Sequence, residues 1–76
     1  MTFLSKMNPG QKARVVGFTQ DSPLVRRLYE LGLIPGKSIT YICRAPLQDP
    51  LLIEIGASRL SLRHAEASLV TVEIVD

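Results

Sequence analysis

Tryptophan is missing from this 76-residue chain, and only two Phe and two Tyr supply aromatic surface. A core must therefore be built from Leu, Ile and Val, and few rings remain on which nucleic-acid bases would stack. Cysteine is equally scarce. Cys43 stands alone, so no intramolecular disulfide forms, and no Cys-x-x-Cys or His-x-x-x-His pair offers a ready zinc site. That usage fits a reducing, cytoplasmic setting. Long apolar runs are absent too. The longest are a few residues, against the roughly 20 that span a bilayer, and "MTFLSKMNPG" lacks a signal peptide's apolar core, so no insertion into a membrane is expected.

What is present amounts to one domain over residues 1–76, because two cores would each be too small to exclude water. Apolar residues make up 46% of the chain. In so small a body some aliphatic surface stays exposed, as a contact patch for a partner or for a second copy in a homo-oligomer. The net charge of +2 is spread over Lys6, Lys12, Arg14, Arg26, Arg27, Lys37, Arg44, Arg59 and Arg63, with only Arg26 and Arg27 adjacent. Scattered charge reads as a solvated surface and not as a phosphate-tracking stripe, so no nucleic-acid partner is expected.

Along the chain, Phe3 to Met7 reads as a lead-in and Asn8-Pro9-Gly10 as a turn, with Pro and Gly at the second and third turn positions. "KARVVGF" is a strand with a bulge at Gly17. Asp21-Ser22-Pro23 starts a helix, since either polar side chain can cap free N–H groups and Pro at the first position sacrifices no bond. Leu24, Leu28 and Leu31 form its expected core stripe. Gly32 ends it in a left-handed conformation, and Leu33 makes the apolar contact of such a stop. "SITYICR" reads as a central, largely buried strand, "APLQDP" as a loop, and "LLIEI" and "RLSL" as a hairpin turning at Gly56. "RHAEA" suits one helical turn, and "LVTVEIV" a strand with one wet face. Together these are mainly β: about five short antiparallel strands and one inserted α-helix, an arrangement that a small, partly open barrel accommodates.

"GLIPGKS" (32–38) imitates a phosphate loop. It holds three residues between its glycines where four are required, Pro35 removes an N–H donor, and it leaves a helix for a strand instead of the reverse. It reads as a helix stop and a turn. His64 and Glu66 imitate a base and its orienter but no nucleophile is placed beside them, so they read as an exposed polar turn, and no catalytic residue is assigned. Cys43 and His64 lack metal-ligand spacing, so no metal or cofactor is assigned and Cys43 reads as a half-buried strand residue. On the helix, Arg26, Arg27, Tyr29 and Glu30 lie off the leucine stripe. They form either a solvated face or a docking surface anchored by Tyr29 and an arginine, which Leu47 and Leu52 extend.

"RRLYELGLIPGKSI", "APLQDP" and "LSLRHAEA", in this order, resemble the FeoA family, small cytoplasmic proteins of bacterial ferrous iron uptake. Arg27, Leu28, Leu31, Gly32, Leu33, Pro35 and Gly36 match its helix-and-turn signature, and Pro9-Gly10 its leading turn. Ala45, Pro46 and Pro50 match the loop signature, and Leu62, Arg63, Glu66 and Ala67 the later one; Gln48 and Asp49 depart from the family's small Gly-containing turn. The resemblance implies an SH3-like β-barrel and a non-enzymatic accessory role toward a FeoB-type membrane transporter with a cytoplasmic GTPase domain. The rival readings are a small nucleic-acid-binding barrel and a metal-sensing domain like that of iron-dependent repressors, with Cys43 or His64 as ligand.

Overall fold

The computed structural model describes residues 1–47 and 49–75; Gln48, within the expected loop, and Asp76 lie outside the described residues. In order, the elements are β1 (Thr2–Phe3), a 3-10 turn (Leu4–Lys6), β2 (Lys12–Phe18), α1 (Pro23–Glu30), β3 (Ser38–Arg44), β4 (Leu51–Ile55), β5 (Ser58–Leu62), α2 (His64–Ala67) and β6 (Val70–Ile74). Six antiparallel strands form one sheet in the order β1-β6-β2-β3-β4-β5. The five longer strands are those expected. The additional one, β1, is two residues of the lead-in held by Thr2 opposite Val72 and Phe3 opposite Thr71, too short to show an alternation in sequence.

Every long strand feeds the same core. Ala13 and Val15, Ile39 and Tyr41, Leu51 and Ile53, Leu62, and Val70 and Val72 are buried in one cluster with Leu4, Met7, Leu28, Leu33 and Ala67. A flat sheet cannot bring both of its ends to one cluster, so the sheet curls round it. Two bulges set the phase of that curl. In β2 the register against β6 shifts between Val15 and Gly17, which turns Gly17 outward opposite Thr71 and Phe18 back inward opposite Val70.

The second bulge corrects an expectation. Register between β3 and β4 shifts after Tyr41, so Tyr41 pairs with inward Ile53 while Cys43 pairs with Leu52 on the outer face. Cys43 is exposed, not half-buried. Arg44 then returns to the inner side opposite Leu51, lies 5.4 Å from the Tyr41 ring centroid, and donates to the Ser5 carbonyl at the 3-10 turn.

Helix α1 starts as expected, with Ser22 Oγ accepting the Val25 N–H at 3.3 Å and Pro23 at its first position. It ends in a Schellman arrangement: the Gly32 N–H donates to the Tyr29 carbonyl and the Leu33 N–H to the Leu28 carbonyl, each at 3.0 Å. Gly32 has φ +100° and Leu33 drops into the core beside Leu28. The core stripe differs from the expected Leu24, Leu28 and Leu31. Val25 and Leu28 face inward, whereas Leu24 and Leu31 are exposed, and Leu33 beyond the stop is the next side chain to reach the core. "GLIPGKS" is the predicted stop and turn, with the Lys37 N–H donating to the Ile34 carbonyl across Pro35-Gly36.

The Tyr41 hydroxyl is buried with no hydrogen-bond partner among the described residues. Burial pushes its pKa above the ordinary 10.0, while the Arg44 guanidinium pulls the other way. The native state holds this proton more tightly than the unfolded chain. Its contribution to stability is therefore level below about pH 10 and is lost as pH rises beyond that point.

Two outcomes are expected. Tyr41→Phe leaves urea stability at neutral pH unchanged or raises it by up to about 1 kcal/mol, since no intramolecular bond is lost, and it removes this residue's share of the alkaline decline. Gly32→Ala lowers stability by about 1–2 kcal/mol through the left-handed backbone alone, because an added Cβ meets only Ile55 Cδ1 at 4.0 Å.

Candidate docking groove

The "RHAEA" segment is α2, four residues long and too short to hold itself in water. Two carboxylates stabilise it. Glu66 reaches back so that its Oε1 accepts the Arg63 N–H at 2.9 Å, and Asp49, fifteen residues upstream, accepts the His64 N–H on Oδ1 at 2.9 Å. Asp49 thus does from outside the helix what a capping side chain does from within. The loop that carries it is closed by the Ala45 N–H donating to the Pro50 carbonyl at 2.8 Å. Glu66 is buried, which corrects the exposed polar turn expected of His64 and Glu66; His64 is exposed. Burial of Glu66 is tolerable because Oε1 accepts an amide N–H, while the Arg27 guanidinium stands near Oε2 as a counter-charge.

This arrangement lays α2 and Pro50 beside α1. Between them runs an open groove of ≈ 470 Å³ lined by Leu24, Arg27, Pro50, Ser61, Arg63, Ala65 and Glu66. The Arg27 Nη1 lies 3.9 Å from Glu66 Oε2, and the Arg63 Nη1 lies 3.8 Å from Asp49 Oδ2. Both separations exceed a good hydrogen bond, and among the described residues neither guanidinium donates one. The two carboxylates are already served by backbone N–H groups, so the groove offers unused cationic donors beside the apolar surfaces of Leu24, Pro50 and Ala65.

Of the expected contact residues, Arg27 lines this groove. Arg26, Tyr29 and Glu30 are exposed elsewhere on α1, where the Tyr29 ring rests on Phe18 with centroids 5.2 Å apart. Leu47 stands 89% exposed on the same loop as Pro50, and Leu52 is half-buried on the outer face of β4. Leu24 escaped the sequence reading, and so did the docking of the Pro46 to Pro50 loop against α2. Leucine spacing assigned Leu24 to the core, and the 15-residue separation of Asp49 from His64 gives no local pattern for the loop's docking. Among the described residues no three or more His, Cys, Asp or Glu gather as a metal site, and no helix is long and apolar enough to cross a membrane.

The family model for the FeoA domain matches residues 2–74. This chain belongs to the FeoA domain family. It is 33% identical over 72 residues to a Fe(2+) transport protein A/Fe(2+) transporter FeoB fusion protein of Porphyromonas gingivalis, an alignment covering 95% of this chain and 8% of the relative. The solution structure of iron(II) transport protein A from Clostridium thermocellum superposes with a TM-score of 0.91 at 36% identity, over 97% of this chain and 46% of that one. FeoA of Stenotrophomonas maltophilia, complexed with zinc and described as a procaryotic SH3 domain protein, matches at 30% identity with a TM-score of 0.83, over 96% of this chain and 91% of that one. The curled six-stranded sheet is therefore SH3-like, as the resemblance implied. This chain spans only 8% of the fusion relative and less than half of the Clostridium protein. Likeness to T. acidophilum IdeR, at 19% identity and a TM-score of 0.85, is a likeness of fold alone.

Asp49→Ala is expected to lower stability by about 1 kcal/mol, as loss of a helix cap does, and to speed hydrogen exchange at the His64 amide above all others. Arg59→Ala, which breaks an exposed pair with Glu54 at 3.9 Å, is expected to cost no more than about 0.5 kcal/mol. Urea denaturation and amide exchange followed by NMR measure both.

Proposed function

We propose that this chain is a non-enzymatic, cytoplasmic accessory protein of ferrous iron uptake that binds the GTPase-containing cytoplasmic part of a FeoB-type transporter. One observation carries the reading: a relative of this FeoA-type sequence is joined to FeoB in one polypeptide. A covalent tether holds two modules at high effective concentration, which is useful where the two act on each other. Two physical features agree with it. Leu24, Tyr29 and Leu31 on or beside α1 and Leu47 on the loop are exposed apolar side chains that a partner could cover, and α1 also carries exposed Arg26, Arg27 and Glu30.

The mechanism is contact. The outer face of α1 and the Pro46 to Pro50 loop dock on the transporter, and preferential binding to one of its conformations shifts the population toward that conformation.

Detergent-solubilised FeoB-type transporter is expected to retain the wild-type chain in a pull-down. Tyr29→Ala and Arg26→Glu, each verified as folded, are expected to weaken retention at least about tenfold. Loss of the chain is expected to slow iron(II) uptake by cells. Absence of retention together with unchanged uptake would rule the reading out.

A further inference from the structure

We infer that the groove between α1 and α2 receives an acidic segment of a protein partner, one in which a carboxylate side chain lies next to an apolar one. The inference rests on the reading of α1 and the 45–50 loop as the docking side, and it names what that side recognises.

The argument is one of donors and acceptors. Arg27 and Arg63 have side chains 68% and 69% exposed, whereas the Glu66 side chain is only 10% exposed. Glu66 and Asp49 each give one oxygen to a backbone N–H at 2.9 Å and stand at 3.9 and 3.8 Å from the guanidiniums. The carboxylates hold the arginines near the groove without saturating their N–H groups. A formally balanced cluster therefore presents positive donors to an incoming chain. A guanidinium donates two parallel N–H bonds to a carboxylate, a geometry that a point charge cannot reproduce.

The floor supplies the second half of the selectivity. Leu24 is 40% exposed in the groove and makes an apolar surface with Pro50 and Ala65, beside which the Ser61 side chain adds one hydroxyl. An apolar side chain next to the carboxylate covers Leu24 and excludes water from the ion pairs, which strengthens them. A nucleic acid would satisfy the arginines but leave this floor uncovered.

The test is NMR titration of the intact chain with the capped peptide Gly-Leu-Glu-Asp-Leu-Gly and with its neutral counterpart Gly-Leu-Gln-Asn-Leu-Gly. Saturable amide shifts at Leu24, Arg27 and Ala65 are expected for the acidic peptide, with affinity at least about tenfold weaker for the neutral one. Arg27→Gln and Arg63→Gln, both at exposed positions, are each expected to reduce the acidic peptide's affinity while leaving the rest of the spectrum in place. Absence of shifts at millimolar acidic peptide, equal binding of the neutral peptide, or indifference to both substitutions overturns the inference. So does a single-stranded DNA oligonucleotide that shifts the same amides more strongly. The transporter pull-down separates the two levels. Retention that ignores Arg27→Gln and Arg63→Gln removes the groove and leaves the accessory role, whereas peptide recognition without transporter binding removes the role and leaves the groove.

Discussion

The extra residue between Tyr41 and Cys43 is the constraint on which the rest of this structure hangs. By shifting register against β4, it sends Tyr41 inward, Cys43 outward and Arg44 inward again within four positions. Arg44 then bonds the Ser5 carbonyl, which ties the 3-10 turn to the end of β3 and brings Leu4 and Met7 into the core. The same strand end launches the loop whose Asp49 holds α2. A break in alternation on one strand thus positions the chain's beginning and the wall of its groove.

Features governed by neighbouring residues were legible in the sequence. The turns at Gly10, Gly32 and Gly36 all require positive φ, which glycine supplies at no steric cost, and all three adopt it. Ser22-Pro23 started the helix, Leu33 completed its stop, and Gly17 marked the first bulge. The second bulge carries no such mark. It falls at Ile42, where a β-branched residue looks like any other strand position, so Cys43 reads as half-buried where the structure exposes it.

The groove was much less legible, because distant pairings make it. Arg27 was identified from its place on the helix surface, but its neighbours Pro50, Arg63 and Glu66 belong to segments that only tertiary structure brings near. Burial of Glu66 depends on an Arg63 amide with no other acceptor and on a helix too short to cap itself. Leu24 shows the opposite failure. Its helical spacing from Leu28 was real, yet α1 turns Val25 and Leu28 inward and leaves Leu24 40% exposed.

The backbone bond from Ala45 to Pro50 bears on how relatives of this chain can diverge. It pins both feet of the loop, so the pairing of β3 with β4 is indifferent to the number of residues at the tip. Lengthening such a closed loop costs free energy only logarithmically. The tip around Leu47 is therefore a place where residues can be added, removed or exchanged while the sheet beneath keeps its shape. Within one loop, Asp49 is tied to the fold through α2, whereas Leu47 stands exposed and can be exchanged without disturbing it.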